Sequence, residues 1–371
     1  MGTLILQDGT MIKGNSVGAN GGYEGEIVFN TSTVGYQEIL TDPSYAKQIV
    51  VMSYPEIGNY GINDFDFESD NPQLVGFIAK NFCKDESHYQ SRENIYSYLR
   101  NKGIIALDNI DTRSLIKKIR EVGTMSAFIT SNDVDNDFYT KKLKELQNFK
   151  IPADIIEKVS TEQRYIVNPS GIYNVAFIDY GAKKGILNSL AKRNCKLTVY
   201  PATVEANEIL ENDFDAVFLS NGPGDPADYD FQISQIKTMI NKLPIFGICL
   251  GYQLLALANG SRTYKLKYGH RGANHPVINL ENNKVMMTSQ NHSYAVDIKS
   301  MSKAMHATYK NLTDDTLEGF EINSLGIYAV QFHPEAHPGP NDASIIFDDW
   351  VNIIKRNAEK LNEIKGGRNE K

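Results

Sequence analysis

The sequence has few cysteines and no excess of positive charge. Its 371 residues include three cysteines, Cys83, Cys195 and Cys249, which form neither a CxxC pair nor the Cys/His spacing of a zinc site. Lysine and arginine total 38 against 45 aspartates and glutamates, which gives a net charge of -7. The sequence therefore predicts no disulfide and no metal site. It also predicts no nucleic-acid partner, because phosphate backbones bind basic surfaces.

Long hydrophobic runs are also missing. No uninterrupted apolar stretch reaches the roughly 20 residues that a membrane span needs. The N-terminal segment has a short apolar run without a preceding basic stretch, so it is not typical of a signal peptide. Hydrophobic residues make up 41% and charged residues 22%, which is ordinary for a globular protein. We expect a folded, cytoplasmic protein that does not bind membranes.

The length and the patterning predict two domains. The first 150 residues contain short strand-like segments such as GEIVFNTST and KQIVVMSYP, followed by the helical pattern DTRSLIKKIREVG, which stops at Gly123. Periodicity then weakens, with a proline near each end of the stretch from Asn148 to Gly171. We predict an N-terminal α/β domain rich in short strands at 1–150, a linker at 151–171 and a second domain at 172–371.

In the second domain, strand and helix patterns alternate. Strand-like segments include YNVAFIDYG, CKLTVYPA and DAVFLSNGPGDP, and helical segments lie between them. Such alternation predicts an α/β domain with a mostly parallel sheet that is covered on both faces. In such sheets the functional site lies beyond the carboxyl ends of the strands.

Cys249 lies between the strand pattern LPIFGI and the helical pattern GYQLLALANG. Gly247 and Gly251 flank it in the pattern G-x-C-x-G, the thiol counterpart of the nucleophile elbow, a tight turn that needs small neighbours. A cysteine at a helix N-terminus is favoured as a thiolate, and the N–H groups there can receive an oxyanion. The pattern alone is equally compatible with a buried structural cysteine.

A base is available at the end of a later strand pattern, GIYAVQFHPEAHPGP. His333 and Glu335 are two residues apart, so they share a face of the strand unless Pro334 changes its geometry. His333 would take the thiol proton and Glu335 would orient the imidazole, which is the logic of acyl transfer. Three further histidines are interpreted as polar loop residues that make structural hydrogen bonds: His270, His275 and His292.

Three blocks, SNGPGDP, GICLGYQLLALA and QFHPEA, resemble the signature blocks of class I (triad) glutamine amidotransferases, in the same order. Segments outside them, including EIVFNTSTVGYQEILTDPSYAKQIV, YPEIGNYGIN and HPEAHPGPNDA, are similar to the small, glutamine-hydrolysing subunit of carbamoyl phosphate synthetase. The similarity runs nearly from end to end. The N-terminal segment distinguishes this family from amidotransferases of other pathways.

This resemblance implies a reaction and a set of site residues. Cys249 would attack the side-chain amide of glutamine to form a glutamyl thioester and release ammonia, with His333 as base and Glu335 as its orienting partner. The N–H groups of Gly224 and Leu250 would form the oxyanion hole. Contacts to glutamine would come from Ser44, Gly222, Gln253, Asn291, Ser293 and Tyr294.

The resemblance also implies a partner. The chain contains no G-x-x-x-x-G-K-[ST] loop, because GAKKGILNS fails that pattern, so we expect no cofactor on this chain. ATP, Mg and bicarbonate would bind a large subunit that uses the ammonia to make carbamoyl phosphate for arginine and/or pyrimidine synthesis. We expect a heterodimer, or a higher assembly of heterodimers, in which the N-terminal domain makes most of the contact.

Two positions depart from the family pattern. Tyr252 stands where the family usually has histidine, and Ser293 stands where it usually has glycine. If the backbone at Ser293 requires a positive φ, serine costs about 1 kcal/mol and weakens glutamine binding. Two alternatives therefore stay open: an amidotransferase serving another synthetase, such as one that makes anthranilate or GMP, and a regulatory or scaffolding subunit with an inactive site.

Overall fold

The computed structural model describes residues 1–368, with side chains as far as residue 359. The chain divides into two compact units. The first unit contains Met1–Pro152 together with Leu266–Asn274 and His337–Gly339, and the second contains the rest of the described chain. Within the described residues, no helix is both long enough and apolar enough to cross a membrane.

The first unit is built around a sheet that closes on itself, in the strand order β1, β2, β8, β6, β4, β3, β9. Its strands are β1 (Gly2–Leu6), β2 (Met11–Ser16), β3 (Gly22–Asn30), β4 (Gln48–Met52), β5 (Glu56–Ile57), β6 (Gly76–Ile78), β7 (Asn81–Phe82), β8 (Ile105–Asp108) and β9 (Met125–Thr130). Strands β5 and β7 form a separate pair. Alternate residues of β3 enter different cores: Ile27 and Phe29 pack in one cluster, and Val28 packs in another.

Helices cover this sheet: α1 (Tyr36–Thr41), α2 (Ile95–Asn101), α3 (Thr112–Val122) and α4 (Asn136–Leu146). Helix α3 begins after Asp111, whose carboxylate accepts a hydrogen bond from the N–H of Ser114. It ends at Gly123, where φ is 111°, a value that glycine adopts without strain. The helix predicted from DTRSLIKKIREVG is therefore confirmed.

The second unit contains a large mixed sheet, in the order β10, β12, β11, β13, β14, β19, β18, β17, β15, β16. The strands of this sheet are β10 (Tyr165–Val167), β11 (Tyr173–Asp179), β12 (Cys195–Pro201), β13 (Ala216–Leu219), β14 (Ile245–Ile248), β15 (Thr263–Asn279), β16 (Val285–Val296), β17 (His306–Asn311), β18 (Leu317–Ile322) and β19 (Ile327–Val330). Residues Leu266–Asn274 of β15 belong to the first unit. The helices of the second unit are α5 (Ile155–Val159), α6 (Lys184–Ala191), α7 (Ala206–Leu210), α8 (Asp230–Met239), α9 (Leu250–Ala258) and α10 (Ile345–Arg368).

The central strands β12, β11, β13, β14 and β19 run parallel. Strand β10 pairs antiparallel with β12, and β18 and β17 continue the sheet antiparallel beyond β19. The sheet is thus mixed, with parallel pairing confined to its centre. The sequence did not indicate β15 and β16 because they carry many polar residues, which resemble loop segments when read in isolation.

The segment predicted as a linker, 151–171, is folded and belongs largely to the second unit. It contains α5, in which Ile155 and Ile156 are buried, and β10, which adds an edge strand to the sheet. Its patterns are too short to reveal a helix or strand by periodicity alone.

Helices pack on both faces of the central parallel strands. In β11, Ala176 and Ile178 contribute to one hydrophobic cluster with residues of α8 and α9, whereas Val175 and Phe177 contribute to another with residues of α6 and α10. Burial on both faces explains why β11 is an uninterrupted apolar run. Because β11, β13 and β14 run parallel, their carboxyl ends meet at one edge of the sheet. Cys249 directly follows β14 at that edge.

Candidate active site

Cys249 occupies the turn between β14 and α9 with φ 54° and ψ −102°, a strained conformation for a residue with a side chain. The flanking glycines are required by close packing. A Cβ on Gly251 would lie 2.4 Å from the carbonyl oxygen of Leu219, and one on Gly247 would lie 2.7 Å from the carbonyl carbon of Gly251. The turn therefore tolerates only glycine on either side of the cysteine.

The Cys249 side chain is buried at the start of α9. Its Sγ lies 3.6 Å from the carbonyl oxygen of Asn291 in β16, to which the thiol donates. The N–H of Cys249 donates to the carbonyl of Val330 at the end of β19. Two strands from different parts of the chain thus hold the sulfur at the N-terminus of a helix.

His333 and Glu335 follow β19 and interact directly. His333 Nδ1 lies 2.7 Å from Glu335 Oε1, and both side chains are buried. The backbone of His333 is held by a bridge to Ser289, whose carbonyl accepts its N–H at 2.9 Å. Within the described residues, Nε2 makes no hydrogen bond of standard geometry, and the Cys249 side chain interacts with the ring. The three residues that the sequence predicted as catalytic are therefore neighbours.

Lys183 is a fourth residue at this site, and it carries a positive charge. Its Nζ donates to Glu335 Oε1 at 2.9 Å and to the carbonyl of Ala336 at 2.7 Å. It lies just before α6, at the carboxyl edge of the sheet, and its N–H donates to Asn221 Oδ1. Sequence reasoning missed Lys183. The available signal was its position directly after the end of a predicted parallel strand, where polar residues line the site.

The charged neighbours set the protonation of the pair. Burial by itself lowers the pKa of His333, but the Glu335 carboxylate and the Cys249 side chain outweigh burial and raise that pKa above its usual range. Burial by itself raises the pKa of Glu335, but Lys183 and His333 outweigh it and lower that pKa. The arrangement therefore favours an imidazolium held between a carboxylate and a sulfur atom.

The glycines of NGPGDP are explained by close packing and by backbone conformation. A Cβ on Gly222 would lie 2.2 Å from the carbonyl oxygen of Tyr180, and Gly224 has φ 93°. The N–H groups of Gly224 and Leu250 make no hydrogen bond to any described residue. Such free N–H groups are able to stabilise a developing oxyanion.

The remaining residues that were predicted to contact glutamine are distributed over both units. Gln253 lies one turn into α9, and its Nε2 donates to the carbonyl of Tyr294 in β16. Asn291 and Ser293 lie in β16 as well. Ser44 lies in the first unit, in a short 3₁₀ segment, Pro43–Tyr45, with its N–H donating to Asp42 Oδ1.

The structure decides one condition and corrects one expectation about polar segments. Ser293 is not among the described residues with positive φ and lies within β16, so the condition under which serine would strain the backbone is not met. His270 and His275 lie in β15 and His292 lies in β16, rather than in loops. The hydrogen-bonding role expected for His292 is present, because its ring nitrogens contact the Tyr294 carbonyl and Gln290 Oε1 at 2.8 and 2.9 Å.

Tyr252 has a structural position. It is fully buried, its ring contacts Phe320, and its hydroxyl donates to the carbonyl of Leu317 at 3.0 Å. Burial raises the pKa of Tyr252, so the hydroxyl stays protonated and remains a donor.

A surface cluster away from this site has side chains of metal-ligating types. Ligand atoms of Glu281, His306 and Glu321 lie within 4.8 Å of one another on the surface of the second unit. Exposed carboxylates commonly cluster in this way without binding an ion, so the geometry does not define a metal site.

Comparison with known families places both parts of the chain. Residues 176–353 match the class-I glutamine amidotransferase family, so the second unit carries a domain of that class. Residues 4–129 match the CPSase domain of the carbamoyl-phosphate synthase small chain.

Two carbamoyl phosphate synthase small chains are similar to almost the whole of this chain. A carbamoyl phosphate synthase small chain from Clostridium acetobutylicum is 46% identical over 354 residues, which cover 95% of this chain and 99% of the relative. One from Oceanobacillus iheyensis is 44% identical over 358 residues, covering 96% and 97%. A solved structure of a glutamine amidotransferase from Thermotoga maritima is 19% identical and covers 51% of this chain and 85% of its own, with a TM-score of 0.37.

The chain belongs to the carbamoyl phosphate synthase small chain family. The family and the enzyme class predicted from the sequence motifs are thereby confirmed.

Proposed function

We propose that this chain is the glutaminase subunit of a carbamoyl phosphate synthetase and acts through a Cys249, His333 and Glu335 triad. The observation that carries the proposal is the strained turn that holds Cys249 at the N-terminus of α9, beside a buried His333–Glu335 pair. Nothing in ordinary packing requires a buried imidazole, carboxylate and thiol to converge, whereas thiol-based acyl transfer requires all three.

The reaction would proceed through a thioester. The Cys249 sulfur attacks the carboxamide carbon of glutamine, and the N–H groups of Gly224 and Leu250 stabilise the oxyanion. His333 carries the proton and gives it to the departing nitrogen as the C–N bond breaks, which releases ammonia and leaves a glutamyl thioester. Water then adds to the thioester with His333 as base, the C–S bond breaks, and glutamate leaves with the thiol restored.

Glu335 and Lys183 would act on His333. Glu335 accepts a hydrogen bond from Nδ1, which stabilises the imidazolium and directs Nε2 toward the reacting atoms. Lys183 keeps Glu335 ionised in a buried site. Glutamine would be bound by Gly222, Gln253, Asn291, Ser293 and Tyr294 of the second unit and by Ser44 of the first.

The ammonia would pass to a larger subunit. That subunit would bind ATP, Mg and bicarbonate and make carbamoyl phosphate for arginine or pyrimidine synthesis, so this chain itself needs no cofactor. Residues 4–129 of this chain match the CPSase domain of the carbamoyl-phosphate synthase small chain, in addition to the amidotransferase domain at 176–353. We propose that this N-terminal domain makes most of the contact within a heterodimer.

The test is ammonia release from glutamine by the full chain, with and without a large subunit. We expect release by the wild type, stimulation by the partner, and a loss of more than about 1,000-fold in Cys249→Ser. Cys195→Ser is the matched control, because Cys195 is also buried in the second unit but lies in β12, away from His333. An inactive wild type would contradict the proposed reaction and favour the regulatory or scaffolding alternative. An active Cys249→Ser variant would contradict the role of Cys249 as the nucleophile.

The proposed interface has a separate test. In the first unit, Phe65 and Tyr89 are 73% and 87% exposed, which is unusual for large aromatic side chains and makes them candidates for the contact. We expect Phe65→Ser and Tyr89→Ser to weaken binding of the large subunit, measured by calorimetry. Ile172→Ser is the control, since Ile172 is 70% exposed in the second unit. Equal weakening by the control variant would contradict this assignment.

A further inference from the structure

Gln331 is a buried side chain that the proposed mechanism does not use. It directly follows β19, between Val330, whose carbonyl accepts the N–H of Cys249, and the base His333. Its own N–H donates to the carbonyl of Glu318 at 2.8 Å, and its side chain is fully buried. The question is why a polar amide occupies this position in the core of the site.

The Gln331 amide contacts Gln253, one of the proposed glutamine contacts. Gln253 Nε2 donates to Gln331 Oε1 at 2.9 Å and to the carbonyl oxygen of Tyr294 at 2.8 Å. The Tyr294 carbonyl is only an acceptor, so the atom of Gln253 that faces it must be the nitrogen. The second N–H of that nitrogen then requires an oxygen from Gln331. The Tyr294 carbonyl in β16 thus fixes the orientation of the Gln253 amide. The Gln253 amide in turn fixes the orientation of the Gln331 amide.

This orientation has a cost. Gln331 Nε2 is buried and has no hydrogen-bond partner among the described residues. An unsatisfied buried donor is destabilising, so Gln331 is not oriented for the benefit of its own nitrogen. The arrangement stabilises Gln253 instead.

The orientation of the Gln253 amide determines which of its polar atoms remains available to a ligand. Both N–H groups of its amide are used inside the protein, so only Oε1 remains for a ligand. Oε1 accepts no hydrogen bond from a described residue and is not among the fully buried unpaired atoms. The backbone N–H of Gln253 bonds to the Cys249 carbonyl, which places this residue one helical turn after the nucleophile. An acceptor at this position selects a ligand group that carries N–H donors, namely an ammonium or a carboxamide nitrogen.

We propose that Gln331 is a positioning residue for substrate binding: it holds the Gln253 amide so that its oxygen, and not its nitrogen, faces the glutamine. This inference rests on the proposed function, in which Gln253 contacts glutamine. Without the Gln331 oxygen, the Gln253 amide gains rotational freedom and can present the wrong group. Such a change weakens binding of the substrate and leaves the thiol and the imidazole in place.

The test is a double-mutant cycle with steady-state ammonia release by the full chain. We expect Gln331→Leu and Gln331→Met each to raise KM for glutamine about tenfold, the equivalent of one lost hydrogen bond, with kcat within about twofold of the wild type. We expect Gln253→Ala to raise KM as well. Adding Gln331→Leu to Gln253→Ala should then change KM by less than about twofold, because Gln331 acts through Gln253.

Gln232→Leu is the matched control. Gln232 is also buried in the second unit, and its Nε2 donates to the carbonyl of Ala202, but it lies in α8. We expect it to lower the melting temperature without changing KM. An unchanged KM in both Gln331 variants of an active enzyme, or additive effects in the double variant, would overturn this inference alone. An inactive wild type would overturn the proposed function and this inference with it.

Discussion

Lys183 Nζ lies 2.9 Å from Glu335 Oε1, and both side chains are almost completely buried. The two residues are 152 positions apart in the chain. A buried carboxylate that must remain ionised needs such a partner, because burial alone would favour its protonated form. Lys183 therefore connects the stability of the second unit with the charge state of His333.

Replacement of this lysine should affect both properties. We expect Lys183→Met to destabilise the protein by about 3–5 kcal/mol, because Glu335 loses its buried counter-ion. We also expect kcat for glutamine hydrolysis to fall at least about tenfold, since a protonated Glu335 no longer stabilises the imidazolium. Thermal unfolding and ammonia release measure the two effects. Lys237→Met, on the exposed face of α8, is the control, and equal effects in the two variants would contradict this role.

The raised pKa of His333 predicts a pH dependence of stability. Burial alone would lower it, but Glu335 and Cys249 raise this pKa to about 10, whereas an unfolded histidine titrates near its usual 6.5. The stabilisation is therefore complete below about pH 6.5 and is lost as the pH rises toward 10. We expect the difference in melting temperature between the wild type and His333→Asn to decrease over this interval. A difference that grows with pH would mean that His333 is neutral in the folded protein.

The glycine after Cys249 should not tolerate a side chain. In Gly251→Ala, the new Cβ would lie 2.4 Å from the Leu219 carbonyl oxygen, so the turn or β13 must shift. We expect glutamine hydrolysis to fall at least about 100-fold, since a displacement of about 1 Å at a catalytic group has that effect. Gly260→Ala is the control. Gly260 has φ 86° and no atom within 4 Å of the added Cβ, so this variant introduces backbone strain without a clash. This control should retain activity, and a fully active Gly251→Ala variant would contradict the steric explanation.

Tyr252 should matter for stability more than for catalysis. Tyr252→Phe removes the donor to the buried Leu317 carbonyl, and we expect a loss of about 1–3 kcal/mol in the free energy of unfolding. We expect kcat and KM for glutamine to stay within about twofold of the wild type. Chemical denaturation and ammonia release provide the two readouts. A tenfold change in KM without loss of stability would instead place the hydroxyl in the binding site.

Ser293 should not limit the affinity for glutamine. Its backbone lies in β16 and has no positive φ, so glycine would relieve no strain there. The contact proposed for Ser293 is made by its backbone N–H, which glycine retains. We therefore expect Ser293→Gly to change KM by less than about twofold, as measured by ammonia release over a range of glutamine concentrations. A KM that falls tenfold in this variant would show that serine displaces a substrate-binding group.

Features that depend on neighbouring residues could be predicted from the sequence. The turn at Cys249 was predicted because a strand, two glycines at fixed spacing and a helix form a local pattern. Helix α3 was predicted together with its final residue, because Asp111 and Gly123 determine its ends through local hydrogen bonding and backbone conformation. His333 and Glu335 were predicted together because they are two residues apart in the chain.

Only the tertiary structure determines which distant residues form hydrogen bonds with the residues of the site. Lys183 reaches Glu335, and Gln253 reaches Gln331, across 152 and 78 residues of the chain. No local pattern encodes such pairs, because they arise from the order in which strands assemble in the sheet. The same reason applies to β15 and β16, whose polar residues resemble loops until their hydrogen bonds to other strands are formed. The sequence by itself thus determined the family and the candidates proposed as nucleophile and base, whereas packing between distant segments determined the charge on His333 and the orientation of the amide at the proposed glutamine site.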